Sequence, residues 1–238
     1  MRGCAVSEAG AARRLFIASP THLRNPSDFE LFEEDRLRRE ADRSGMVGHR
    51  QTGNHFETQF GLPRYAETPR VRIALRNKPL DFYGFDRWVL SDRARQLLHG
   101  MDPAAFDFVE CDTSGPAKYE VGTYWLGKVK RVVTDFDRDT SVFELAGRFY
   151  DPSLKQEVYS HRIRTLNRLT LLPGAEDALA FYLLDYTPYP IFDGRLVDAI
   201  WAAKLTGLMF SPLHRPQKGD VKEKYIQTYQ YWKEQGAL

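Results

Sequence analysis

The stretch "DFDRD" sets Asp135, Asp137 and Asp139 on alternate positions. In an extended chain, carboxylates at that spacing share one side, where they could hold a cation or act as acid and base. A calcium loop of the helix–loop–helix type also needs glycine at its sixth position and glutamate at its twelfth. Counted from Asp135 these are Thr140 and Ala146, so the motif fails. The simpler reading is a solvent-facing acidic turn, because aspartate readily bonds its own backbone. The histidines His22, His49, His55, His99, His161 and His214 form no His-x-x-x-His pair of the kind that binds zinc. No Gly-x-Ser-x-Gly elbow and no glycine-rich phosphate loop is present. A hydrolase would therefore need a cleft that brings His161 or His55 to Asp137 in space.

Two further patterns could bind rather than react. Lys128, Lys130, Arg162 and Arg164, with Tyr119 and Trp125 nearby, would make a basic stripe if their two strands paired. Such a stripe suits a nucleic acid or nucleotide. The simpler reading is the solvated face of a half-buried sheet, with Val129 and Ile163 on the other side. Near the end of the chain, Tyr225, Tyr229 and Trp232 fall at helical spacing behind a capping Asp220. They would pack on the body of the protein or serve as anchors for a partner.

The elements that must position these groups can be read in outline. "RLFIAS" reads as a first strand, and Pro26 to Gly45 as a first helix with Glu34–Arg38 and Asp35–Arg39 pairs. Met46 to Pro69 is rich in glycine and proline and reads as a long loop. Arg70 to Leu75 alternates as a strand. A short strand ends at Val89-Leu90, Ser91 caps a helix over "DRARQLLHG", and Gly100 closes it. "AFDFVEC" is a strand, and a long one runs from about Tyr119 to Val133. His161 to Leu172 and "ALAFYLLDY" are strands, the second broken by "TPYP". Asp193 then caps a helix from Gly194 to Lys204, Gly207 ends it, and Leu208 to Phe210 is a strand.

This mixture predicts an α+β fold: a single domain with a mostly antiparallel twisted sheet, flanking helices and a C-terminal helix. The expected boundaries are a flexible N-terminus over 1–14, the domain over 15–213, and a helical extension over 214–238. Hydrophobic residues at 42% and charged residues at 28% are ordinary for a globular protein, while aromatics at 13% are high. The net charge of +2 favours neither a strong nucleic-acid field nor an acidic mimic of one, so no nucleic acid is expected. The cysteines Cys4 and Cys111 share no metal-ligand spacing and fit a reducing compartment. No apolar run is long enough to span a membrane, and "MRGC" lacks the apolar stretch of a signal peptide. We therefore expect a cytoplasmic protein with no metal and no cofactor.

Four stretches in order carry a resemblance: "PLDFYGFDRWVLSDRARQLL", "AFDFVEC", "YWLGKVKRVVTDFDRDTSVFE" and "IFDGRLVDAIWAAKLTGLMFSPL". Together they resemble immunity protein family eleven of bacterial polymorphic toxin systems, over roughly Leu15 to Leu213 and best from Pro79 onward. The matching positions include Asp81, Ser91, Asp137, Thr206, Gly207 and Phe210. The resemblance implies a non-enzymatic protein that binds and neutralises a toxin encoded beside it, often one delivered by type VI or related secretion. It brings no catalytic residues. The acidic "DFDRD", where the family has one reliable acid, and the helix after Pro216 depart from the family pattern. Asp135, Asp137, Asp139, Tyr225, Tyr229 and Trp232 are the candidate partner contacts.

Overall fold

The computed structural model describes residues 13–21, 29–33, 36–37, 61–62, 65–73, 79–84, 87–115, 121–145, 148–151, 155–159, 163–175, 177–184 and 186–213. Within them, two larger sheets share one core. Strands β1 (Leu15–Pro20), β9 (Val132–Val133), β14 (Ala180–Leu183), β15 (Tyr186–Asp193) and β16 (Leu208–Pro212) form a five-stranded sheet in the order β16-β1-β15-β14-β9. Strands β4 (Phe82–Tyr83), β5 (Trp88–Ser91), β6 (Phe106–Glu110) and β8 (Tyr124–Val129) form a four-stranded sheet in the order β4-β5-β8-β6.

Period-two alternation explains how each sheet is sealed on both faces. On β14, Ala180 and Tyr182 point into the shared core, while Phe181 and Leu183 point into a second core. On β5, Trp88 and Leu90 enter the shared core, and Val89 enters a third. The second core is closed by β13 (Ile163–Arg168), which pairs with β10 (Val142–Leu145). The third is closed by β2 (Phe29–Leu31) and β3 (Arg70–Ile73), the latter also pairing in parallel with β7 (Asp112–Ser114). Strands β11 (Arg148–Asp151) and β12 (Gln156–Tyr159) form a separate antiparallel pair. Two helices, α1 (Asp92–Met101) and α2 (Gly194–Ala202), add Ala94, Leu98, Leu196, Val197 and Ile200 to the shared core. Edge-to-face rings tie this core together: Trp88 meets both Phe82 and Phe192 at 6.0 Å.

The expected mixture of mostly antiparallel strands and helices is present, but the strands are divided among several sheets rather than one, and sheet dominates. The helix expected over Pro26 to Gly45 gives way at Phe29–Leu31, which are strand. Phe29 and Leu31 pair opposite Ile73 and Val71 and pack on the third core, and this tertiary pairing overrides the local helical pattern. Glu33 then takes a φ of 54°, and helical residues follow at Arg36 and Leu37. The long strand expected from Tyr119 to Val133 is β8 and β9 in different sheets, parted at Lys130 and Arg131. Both of their N–H groups donate to the Ala105 carbonyl, at 2.8 and 3.4 Å, which turns the chain between the sheets.

"TPYP" does not break its strand but lies inside β15. The pairing of β15 is carried by Tyr186 on one side of it and by Ile191 to Asp193 on the other. Proline, with no N–H to give, occupies the stretch between those paired residues. Helix α1 runs through Gly100 to Met101, and the Asp102 N–H closes it onto the Leu98 carbonyl at 3.0 Å. Helix α2 ends at Ala202, earlier than expected. Lys204 N–H reaches the Trp201 carbonyl at 2.9 Å and Leu205 N–H the Ile200 carbonyl at 3.1 Å, the paired bonds of a Schellman ending. Lys204 holds the left-handed position with φ 51°, where glycine is usual. Gly207 instead permits a close approach: with φ 106°, it lies so near Phe82 that a Cβ would overlap that residue's carbonyl.

Candidate functional site

Four of the motif positions meet around one carboxylate. Asp81 precedes β4 and is 4% exposed. Its Oδ1 accepts from Ser91 Oγ at 2.8 Å and Arg93 Nε at 2.6 Å. Its Oδ2 accepts from Arg93 Nη2 at 2.6 Å, Thr206 N at 2.8 Å and Thr206 Oγ1 at 3.0 Å. Ser91 also caps α1 through Ala94 N–H, at 3.3 Å. Gly207 lies next in the chain, against Phe82. The site therefore fastens the start of α1 and the turn after α2 to the edge of the four-stranded sheet.

Two other buried carboxylates act in the same way. Asp102, at the end of α1, receives both Arg131 guanidinium nitrogens and, at 2.9 Å, the buried Leu179 N–H. It thus links α1, the turn between β8 and β9, and the approach to β14. Asp193 caps α2 through Arg195 N–H at 2.8 Å and is paired with Arg13 and Arg195. Burial alone would push its carboxyl up, but the Arg195 and Arg13 hydrogen bonds outweigh this and hold it below the usual carboxylate range. Arg13 also donates to the Ala175 and Ala178 carbonyls, and Gly194 N–H donates to the Arg14 carbonyl at 2.7 Å. These buried charges are all paired, as burial demands.

The acidic turn stands apart from them. Asp137 does not join Asp135 and Asp139 in a shared site. Its Oδ1 accepts the backbone N–H groups of Asp139 and Thr140, each at 3.0 Å. Hydrogen bonds from the Thr140 side chain and then its backbone hold Asp137 below the usual carboxylate range. Asp135 bonds the neighbouring Phe136 N–H at 2.9 Å, and Arg138 stacks over the Phe136 ring at 5.0 Å. The Asp135 and Asp139 carboxylates remain on the exposed surface. Among the described residues, no group of His, Cys, Asp and Glu could hold a metal ion.

β8 and β13 lie in different sheets, so the strand pairing that the basic stripe would need is not made. Lys130 pairs instead with Asp107 at 2.8 Å. Of the histidines, only His99 lies in the described residues, edge-on to Phe108. His55, His161, Tyr119, Arg162, Tyr225, Tyr229 and Trp232 lie outside them.

Sequence reasoning did not reveal an open groove of about 770 Å³, walled by residues 65–69, 109–113 and 121–123. Glu67, Glu110 and Asp112 stand on it, and Cys111 lies in its wall. Burial pushes the Cys111 thiol up to about 12, so it stays protonated at neutral pH.

Buried charges that cross-link packed sheets, with acidic features left on the surface, define a β-rich scaffold whose polar clusters serve its architecture. The family model described as Immunity protein family (Imm11) matches residues 11–215, and the chain belongs to that family. Immunity proteins as a class neutralise toxins, which gives this chain a toxin-neutralising role of the same kind. No curated protein matches the chain. Among the described residues, no helix is long and apolar enough to cross a membrane.

Proposed function

We propose that this protein binds a cognate toxin in the cytoplasm and neutralises it by covering the toxin's active site, without catalysis of its own. The toxin is an effector of type VI or similar secretion, encoded beside this chain. The observation that carries the reading is the family match over residues 11–215. The site geometry is consistent with it: Asp81, Ser91, Thr206 and Gly207 hold the scaffold together and leave contact to the exposed surface. Asp135 and Asp139 are the contacts proposed on the acidic turn, with Asp137 shaping that turn through its backbone bonds. Tyr225, Tyr229 and Trp232 are proposed as aromatic anchors, a residue type favoured at interface hot spots. An interface of roughly 800 Å² per partner would suffice to block a cleft.

The test is co-expression of the tagged chain with the inactivated product of the adjacent reading frame, followed by light scattering on the purified material. A stable complex, together with restored growth of cells carrying the active toxin, is the expected result. Absence of a complex and of rescue with either neighbouring product would overturn the reading.

A further inference from the structure

We infer that the groove between residues 65–69, 109–113 and 121–123 is where an extended segment of the toxin, bearing lysine or arginine, docks. The inference rests on the toxin-binding reading and names the surface and the chemistry that reading leaves open. The groove lies where β6 hands the chain to β7, so its walls come from the margins of two sheets. Those walls are held by backbone bonds: Asp112 N–H to the Pro69 carbonyl at 2.9 Å, and Cys111 N–H to the Tyr124 carbonyl at 3.0 Å. These bonds fix the backbone on two sides of the concavity.

Its described charged lining residues are of one sign: Glu67, Glu110 and Asp112 are exposed carboxylates, and among the described residues no lysine or arginine lines the groove. Among the described residues, Arg36 meets Glu67 at 3.6 Å. Glu110 and Asp112 do not converge with other ligands, since no described cluster could hold a metal ion. Carboxylates spaced in this way would meet separate positive charges rather than one cation. A nucleic acid would be repelled, and a small apolar ligand would find too few apolar walls in an open groove. The buried, protonated Cys111 gives the groove no nucleophile. A chain segment with spaced cations is the occupant that fits both the shape and the charge, and opposite charge at such a contact speeds and selects association.

Gly122 gives a clean way to test this. A Cβ there would meet no heavy atom within 4 Å, so a side chain can start from this position without a clash at its first atom. The probe is the inactivated product of the adjacent reading frame, titrated with the full chain at low and moderate salt. Glu110→Lys/Asp112→Lys is expected to weaken binding about tenfold or more, chiefly through slower association, and to lessen its salt dependence. Gly122→Trp is expected to weaken binding with an unchanged melting temperature. Asp135→Lys/Asp139→Lys serves as the comparison on the acidic turn. If the unaltered chain binds and both groove variants bind equally well, the groove inference is overturned while the immunity reading stands. If binding is lost only in the turn variant, the contact belongs to that turn and the groove inference falls. If the unaltered chain does not bind, the immunity reading fails and takes this inference with it.

Discussion

Replacing Asp81 with alanine should cost about 3 kcal/mol of stability, and the figure follows from its partners. The carboxylate accepts from Ser91, from two Arg93 nitrogens, and from the backbone and hydroxyl of Thr206. Removing one member of a buried ion pair costs roughly 3–5 kcal/mol when the other stays buried. Arg93 does not: its side chain is 58% exposed and can return to water. Its share is that of a surface pair, under about 1 kcal/mol. The rest comes from Ser91 and Thr206, whose donors lose a charged acceptor worth roughly 1.5–3 kcal/mol per bond, with overlap among them. Against a total stability of about 5–15 kcal/mol this is a large fraction. In urea, Asp81→Ala should lower the midpoint with little change in slope, and its melting temperature should fall by roughly 6–12 °C. Arg93→Ala should cost about 1 kcal/mol or less. A loss below about 1 kcal/mol for Asp81→Ala, or an equal loss for Arg93→Ala, would show that Asp81 is not what fastens these elements.

Three other outcomes follow from the same kind of reasoning. Lys204→Gly should raise stability by about 0.5–1 kcal/mol, because glycine holds the φ of 51° without strain; a lower urea midpoint would contradict this. In a Cys4→Ser background, an aromatic disulfide reagent at pH 8 should label Cys111 quickly in urea and very slowly in the native protein, where the raised thiol leaves a thiolate fraction roughly a thousandfold smaller. Equal rates in both states would refute the burial argument. Asp193 has a folded pKa below its unfolded value, so its stabilisation is present above about pH 4 and is lost as pH falls through the folded value. Asp193→Asn should therefore lose stability at neutral pH and decline less steeply in acid. An unchanged acid slope would show that another group controls it.

Local signals account for what the sequence made legible. Ser91 and Asp193 are caps directly before apolar-periodic runs, and both helices start where those residues place them. The strand expected at "RLFIAS" stands at Leu15–Pro20, and the alternating strand expected over Arg70 to Leu75 is present as Arg70–Ile73, with 74 and 75 outside the described residues. Phe29–Leu31 was not legible, because its surroundings carry a helical charge pattern and its strand exists only through pairing with β3. The function of Asp81 was hidden for a related reason. Its partners lie 10, 12 and 125 positions away, so only the order of family-like motifs singled it out. Asp102 with Arg131, and Asp193 with Arg13, carry no local mark of their pairing. The groove was unreadable because it is assembled from three separated stretches, each ordinary when read alone.

The break at Lys130 and Arg131 also has a mechanical meaning. Val129 ends a strand of one large sheet and Val132 begins a strand of the other, so a tether of three virtual bonds joins them. At about 3.8 Å each, these limit the two ends to roughly 11 Å of separation. Arg131, gripped by Asp102, removes most of the slack that remains. The link between the two sheets at this point is therefore short and held by hydrogen bonds. The acidic turn begins three residues beyond the tether, and the groove borders β6, so the short link joins the sheet carrying one to the sheet carrying the other.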